Sequence, residues 1–250
     1  MSQEQPLQQE DLVDVWDNVA KYYSFEDYWA DPASHAWLGR LRSHIGEPSG
    51  QRVLEVGCGS GLMSLALAQQ GACVSLLDIS PVALQRAREV FAAKHQPIPT
   101  CYRADALHSG IAENSFDVTW NCGVIEHFTN EGKRQLVMEM VKMTKPGGKV
   151  IIMVPNRWCW PFQIGQAYMK LRRTWPYGNE DDMSPMRLKR LCRRLDVEHY
   201  DAYSFDPVLG WYWLPFLGAR LKRCLGPRPV EKHMQRSIIG WMSVLVIEKS

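Results

Sequence analysis

"VLEVGCGSG", Val53 to Gly61, begins as four residues suited to a buried strand and closes on three glycines spaced two apart, Gly57, Gly59 and Gly61. The apolar, charge-free stretch "LMSLALAQQG" follows, so the run reads as a parallel strand turning into a short helix that Gly71 ends. Such a turn brings unpaired backbone N–H groups and the positive end of a helix dipole to the carboxyl edge of a sheet, where ligands bind. Glycine allows positive φ there and, lacking Cβ, lets a ligand lie directly on backbone. The dinucleotide fingerprint is GxGxxG. Counting from Gly57 gives Gly59 and then Leu62, so the third small residue of a pyrophosphate-cradling turn is missing. The observed GxGxG spacing suits one nucleoside better than a dinucleotide and argues against an NAD-dependent oxidoreductase.

Outward from this turn, "CVSLLDIS" is a second strand and completes a βαβ unit. Ser80-Pro81 starts a helix, with serine as cap and proline in the first turn, and Leu84, Ala87 and Phe91 mark its buried face. "TCYRADA" and "SFDVTWNCG" read as third and fourth strands. A helix from Glu131 to Thr144, stopped by "KPGG", leads to a fifth, "KVIIMVPN". Upstream, Leu12, Val15, Trp16, Val19 and Tyr23 recur at helical spacing and predict an amphipathic lid. Downstream, Ser184-Pro185 opens a helix with Leu188, Leu191, Cys192 and Leu195 on one face, and "VEHYDAYSF" and "SIIGWMSVLVIE" supply the last strands. The expected fold is α/β: a Rossmann-like, doubly wound, mostly parallel seven-stranded sheet with an N-terminal helical lid and an insertion before the last strand. Residues 1–250 are expected to form one domain, with a helical cap over 10–45, a cofactor-binding core over 50–156, and substrate-side insertions over 157–183 and 207–236.

Composition is that of an ordinary globular protein, 46% hydrophobic and 22% charged, which excludes disordered and fibrous classes. The N-terminal stretch is acidic and lacks the basic start and apolar core of a signal peptide, so the expected location is cytoplasmic. The longest uncharged run, Val56 to Leu77, contains the glycine turn and Gln69-Gln70 and is a poor membrane span. Seven cysteines, odd in number and without a CxxC pair, read as reduced thiols; Cys122 alone falls near the expected ligand. From Arg157 onward 16 Lys and Arg face 9 Asp and Glu, so the C-terminal part is basic and the remainder acidic. Such a bias fits either an anionic partner or a solvated charged face.

These motifs, taken together and in this order, resemble the class I S-adenosylmethionine-dependent methyltransferases over roughly Trp16 to Asn156. The first motif of that family is a strand with an acidic residue two before GxGxG, matched by Glu55 with Gly57, Gly59 and Gly61. The resemblance implies that Asp78, ending the second strand, accepts hydrogen bonds from both ribose hydroxyls of S-adenosylmethionine. A carboxylate, which offers acceptors only, suits that task. It also implies that Asp105 of "RADA" contacts the adenine amino group, with Ile79 and Ala106 as neighbours at the cofactor, and that Asn121, just past the fourth strand, lines its methionine part. Tyr22, at the end of the lid, is placed at the cofactor as well. Each carboxylate has a structural alternative: Glu55 orienting the loop, Asp78 capping the next helix, Asp105 terminating a strand.

The sulfonium cofactor is already activated, so an enzyme of this kind mainly aligns a nucleophile and strips water from it. His127, beside Glu126, is the candidate base for a hydroxyl or amine acceptor; a structural hydrogen-bonding role is the alternative. The quinone-biosynthesis O-methyltransferases are similar around "VIEHF" and carry Glu-x-x-Glu-His as a metal site. Here Gly123 replaces the first Glu, which leaves two ligands, and no metal is expected. The predicted reaction is methyl transfer to oxygen or nitrogen of a small, apolar or aromatic acceptor. The aromatic stretches around Trp158, Trp160, Trp175, Tyr177 and Trp211 to Trp213 are candidates to line its pocket, core filling being the alternative for any one of them. A lipid, membrane-associated or protein acceptor is the second enzymatic reading, because "PVLGWYWLPFLGARLKRCLG" joins aromatic residues to cations as a segment at a membrane surface would. Pro215 and Gly218 interrupt a long helix there. Nucleic acid is not expected, since "NCGV" follows the fourth strand where base methylases of the family carry an Asn-Pro-Pro-Tyr type signature. A protein that binds the cofactor without catalysis is the remaining alternative.

Overall fold

The computed structural model describes residues 9–21, 31–178, 180–225 and 235–250. The expected Tyr22 contact, and Tyr23 of the lid pattern, lie outside them. The order is α1 (Gln9–Ala20), α2 (Pro32–Ile45), β1 (Arg52–Val56), α3 (Leu62–Ala68), β2 (Cys73–Asp78), α4 (Pro81–Ala93), β3 (Thr100–Arg103) and β4 (Phe116–Cys122). Then follow α5 (Asn130–Met143), β5 (Thr144–Pro155), α6 (Trp160–Leu171), α7 (Pro185–Arg194), β6 (Tyr200–Phe205), α8 (Gly218–Leu225) and β7 (Met242–Glu248), with single-turn 3-10 segments at Ile125–His127 and Leu209–Trp213.

All seven strands form one sheet in the order β3-β2-β1-β4-β5-β7-β6. The first five are mutually parallel, and β7 runs antiparallel to both β5 and β6. The expected mostly parallel, doubly wound sheet is therefore the observed one. Strand alternation splits β5 between two cores. Val150, Ile152 and Val154 pack with α5 and α7, while Ile151 and Met153 pack with α2 and α6. Each such fully buried aliphatic side chain contributes about 1.5–3 kcal/mol, which is why strands buried on both faces need the near-continuous apolar sequence they have.

Local signals hold where side chains cap helices. Ser80 Oγ accepts from Ala83 N at 2.9 Å, and Ser184 caps α7 through Arg187 N. One boundary differs from the sequence reading: "KPGG" does not separate α5 from β5 but lies inside the strand, because Thr144 already pairs with Phe116 and a register shift between Phe116 and Val118 absorbs the extra residues. α1 is anchored at the switch edge of the sheet, where Asp17 accepts a hydrogen bond from Ser80 Oγ.

Candidate functional site

The sheet order puts the carboxyl ends of β1, β2 and β3 side by side, so residues far apart in sequence share one edge. At β1 the turn is tight: Gly57 N and Cys58 N both donate to Leu77 O, at 2.8 and 3.1 Å, and Gly57, Gly59 and Gly61 all have positive φ. A Cβ at Gly57 would lie 2.6 Å from Val124 Cγ2, so that glycine is required both by conformation and by the close approach of the loop after β4. Gly61, the N-cap of α3, leaves the first N–H groups of that helix without a side-chain cap.

Asp78 closes β2. Its Oδ2 accepts from Gly59 N at 2.8 Å and its Oδ1 from Ser80 N at 2.9 Å, so one carboxylate ties the glycine turn to the start of α4. Burial pushes this carboxyl up, against the pull of those N–H donors. Asp105 sits past β3, half-buried, and accepts from Leu107 N at 2.9 Å. Ile79 is half-buried and Ala106 buried beside them.

A cavity of about 460 Å³ opens from the glycine turn toward the α6 side. Glu55, Cys58 and Gly59 form its inner end, Cys122, Gly123, Glu126 and His127 its flank, and Trp16 of α1 part of its cover. Glu55 is buried, and its Oε2 makes no hydrogen bond among the described residues. Burial pushes its carboxyl up to about 8, and Asp78 adds to the rise. Asp78, Asp105, Gly57 and Gly61 lie outside the cavity lining. Asn121 requires a correction. Its side chain is fully buried, turned away from the cavity, with Nδ2 directed at Met140 Sδ of α5 at 3.2 Å. The pleat decides this: in β4 the alternate residues Val118 and Trp120 belong to the α2 and α6 face, and Asn121 takes the other, so Cys122 and Gly123 line the cavity instead.

The far wall is aromatic. Trp37, Phe162, Trp175, Trp213 and Trp241 meet one another at ring distances of 5.3–6.2 Å, mostly tilted or edge to face. The Nε1 atoms of Trp37 and Trp241 are buried and make no hydrogen bond among the described residues. Trp158 and Trp160, also expected in a pocket, are exposed on the outside of α6 and its approach.

His127 stacks edge-on against Trp16 at 4.9 Å, and its Nε2 lies 3.8 Å from Glu180 Oε1. Glu126 beside it is buried with Oε2 unpartnered, and burial pushes its carboxyl well up. Burial likewise raises Glu180 to about 7. The ligand atoms of Glu126, His127 and Glu180 all lie within 4.8 Å of one another. No spacing rule connects Glu180 with the "EH" pair; the segment 180–183 reaches it because Asp181 N donates to Glu126 O at 2.9 Å and Gln166 Nε2 holds Glu180 at 2.6 Å. The expectation of no metal counted two ligands, and the fold brings up a third.

Residues 53–148 match the family model of a methyltransferase domain. The chain is 30% identical over 213 residues to the ubiquinone biosynthesis O-methyltransferase of Azoarcus sp. (strain BH72), covering 78% of this chain and 89% of that protein. It is 28% identical to the protein of the same name from Leptothrix cholodnii, with the same coverage. Among solved structures, a S-adenosylmethionine-dependent methyltransferase from Thermotoga maritima superposes with a TM-score of 0.66 at 16% identity, over 96% of this chain and all of that one. The geranyl diphosphate C-methyltransferase of Streptomyces coelicolor, crystallised with S-adenosyl-L-homocysteine, gives 0.64 at 14% identity over 96% of each chain. At these identities the two structures establish likeness of fold.

Proposed function

Since this chain belongs to the class I S-adenosylmethionine-dependent methyltransferases, we propose that it methylates the oxygen of a small, planar, apolar hydroxyl compound bound against the aromatic wall. The observation that carries this reading is one continuous cavity running from Glu55 and Gly59, past His127, to Trp37, Phe162 and Trp241. The unpartnered Oε2 of buried Glu55 and the three positive-φ glycines of the turn both suit the cofactor. Bound S-adenosylmethionine supplies a methyl group already activated on sulfonium. The chain's own part is to orient the acceptor, exclude water and accept a proton. Gly57, Gly59 and Gly61 present backbone to the nucleoside; Asp78 and Asp105, with Ile79 and Ala106, serve its ribose and base, and Glu55 receives its cationic end. The unpartnered indole N–H groups of Trp37 and Trp241 are donors for an acceptor oxygen. His127 takes the proton that the acceptor hydroxyl loses. Seven free thiols fit a reducing, cytoplasmic location.

A pH dependence follows from Glu55. With its carboxyl raised to about 8, it is protonated at neutral pH in the free protein, and a cationic ligand favours the ionised form. Binding of S-adenosylmethionine should therefore release a proton below pH 8, and affinity should rise with pH. Calorimetry in buffers of different ionisation heat, at or below pH ~7 where the α-ammonium of the ligand stays charged, should show that release. Equal heats would refute the role of Glu55.

The meeting of Glu126, His127 and Glu180 favours a second reading of the proton step, in which these three hold a divalent cation. The donor set fits: a buried carboxylate, a half-buried one and an imidazole are groups that would hold a divalent ion. Such an ion would neutralise the carboxylates and polarise the acceptor hydroxyl. One experiment tests both. A panel of small phenols and matching anilines is incubated with methyl-labelled cofactor, with and without chelator, and products are identified by mass spectrometry. O-methyl ethers are expected from phenols; label on the anilines alone would overturn the acceptor assignment. Turnover that survives chelation but drops about a hundredfold in His127→Asn supports the base. Turnover abolished by chelator and restored by added magnesium or zinc supports the cation.

A further inference from the structure

α6 has two unlike faces. Its inner face, with Phe162, Gly165 and Gln166, is buried; a Cβ at Gly165 would lie 2.2 Å from Trp213 O, so the helix is pressed onto the 209–213 turn. Its outer face carries Trp160, Ile164, Ala167 and Leu171, spaced i, i+4, i+7 and i+11, all exposed, Leu171 to 83%. A stripe at that spacing is the mark of an amphipathic helix whose apolar side has a partner. Here, apart from the edge of Trp211 against Trp160, the stripe stands exposed among the described residues.

The stripe extends into a wider apolar patch. Trp160 stacks edge-on against Trp211 at 4.8 Å, and Tyr168 against Phe216 at 5.7 Å. Phe216 is 86% exposed and sits at φ 64°, in the left-handed region that costs a bulky residue energy. A largely exposed aromatic ring on a strained backbone, with only Tyr168 against it, fits a surface that is covered when the protein works.

The charges identify what covers it. From Arg157 to Gly178 and from Pro207 to Leu225 there is no Asp or Glu, while the same stretches contain Arg157, Lys170, Arg172, Arg173, Arg220, Lys222 and Arg223. Arg172 and Arg173 follow the stripe directly, and Arg220 and Arg223 stand on α8, the helix that Phe216 leads into. All four are exposed and form no ion pair among the described residues. Exposed aromatic and aliphatic residues next to unpaired arginines, with acidic groups absent, are the chemistry of a segment lying in the headgroup region of an anionic bilayer. No helix among the described residues is long and apolar enough to cross a membrane, so the contact is a surface one.

We propose that this protein docks on anionic phospholipid bilayers through the outer face of α6 and the adjoining Phe216–Arg223 segment. The surface is one helix away from the acceptor cavity. Phe162 on the inner face of α6 lines that cavity, while Gln163 and Gln166 hold Asp182 and Glu180. Docking therefore bears on the same helix that positions the site.

Sedimentation of the full chain with vesicles of mixed phosphatidylcholine and phosphatidylglycerol, against vesicles of phosphatidylcholine alone, tests this. Binding to the mixed vesicles is expected to weaken with added salt and to fall about fivefold for each of Arg172→Gln and Arg173→Gln, each of which removes one cation from the surface. The double variant Ile164→Glu/Leu171→Glu is expected to lose binding at least tenfold. S-adenosylhomocysteine affinity by calorimetry and the thermal midpoint are read on the same variants and are expected to stay at the parent values, since the altered side chains are exposed. That keeps failure of docking distinct from failure of the methyltransferase reading. No binding to mixed vesicles, or equal binding by the double variant, overturns the proposal. So does a concentration-dependent dimer that the double variant abolishes, which would make a second copy of this chain the occupant.

Discussion

Asp78→Ala is expected to weaken S-adenosylhomocysteine and S-adenosylmethionine binding by about a hundredfold or more, since two hydrogen bonds to a charged acceptor contribute ~1.5–3 kcal/mol each and ~1.4 kcal/mol is tenfold. The carboxylate has about four acceptor sites, and the protein uses two of them, for Gly59 N and Ser80 N. The others remain for ribose hydroxyls. The same substitution also removes the tie between the glycine turn and α4, so the backbone cradle loses its fixed shape. Titration calorimetry measures the affinity directly. Turnover should fall most at low cofactor concentration, because the residue acts in binding rather than on the methyl acceptor. An Asp78→Ala protein with parental affinity would sink the assignment of the β2 terminus to the cofactor.

The largest effect on stability is expected from Asp181→Ala. Lys133 is 2% exposed, and its Nζ lies 2.6 Å from Asp181 Oδ2. Arg187 grips the same carboxylate with both terminal nitrogens, at 2.6 and 2.7 Å. Together Arg187 and then Lys133 hold the Asp181 carboxyl well below the usual range. Truncating it leaves the Lys133 ammonium without its nearest counter-charge, which costs about 1–3 kcal/mol, less than for a fully buried pair because Asp181 is half-exposed and water can reach the gap. Lys133→Met/Asp181→Ala should recover part of that loss, because it removes the buried charge as well; the coupling is read from urea unfolding of the two single variants and the double. Depression of the carboxyl also fixes the acid limb. The contribution is complete above the free aspartate value of about 3.9 and is lost as pH falls through the lower folded value. Turnover should drop too, since the Lys133 and Arg187 bonds to the Asp181 side chain anchor the segment that holds Glu180 beside His127. Equal stability of Asp181→Ala and the parent would show that water solvates Lys133 in full.

The parts of the site legible in sequence are those made by contiguous residues. Gly57, Gly59 and Gly61 announce a turn because glycine adopts their positive φ without steric cost, and Asp78 and Asp105 are found by counting to the ends of predicted strands. Asn121 marks where counting stops. Both it and Cys122 end β4, and which of them faces the cavity depends on the pleat relative to α5, a parity that a run apolar on both faces does not reveal. Glu180 had no signal. It lies in an irregular segment between α6 and α7, more than fifty positions from His127, and its role exists only through Asp181, Lys133, Arg187 and Gln166.

The sequence by itself determined the alternation of strands and helices, the nucleoside-type glycine turn and the acidic residues at the ends of the first three strands. These follow from local backbone chemistry and hydrophobic period. The tertiary structure alone decided the antiparallel insertion of β7 between β5 and β6, the aromatic wall built from α2, α6, the 209–213 turn and Trp241, and the third carboxylate beside His127. Each of these joins segments distant along the chain, and such contacts are selected by burial and charge pairing in the packed fold rather than by any spacing in the sequence.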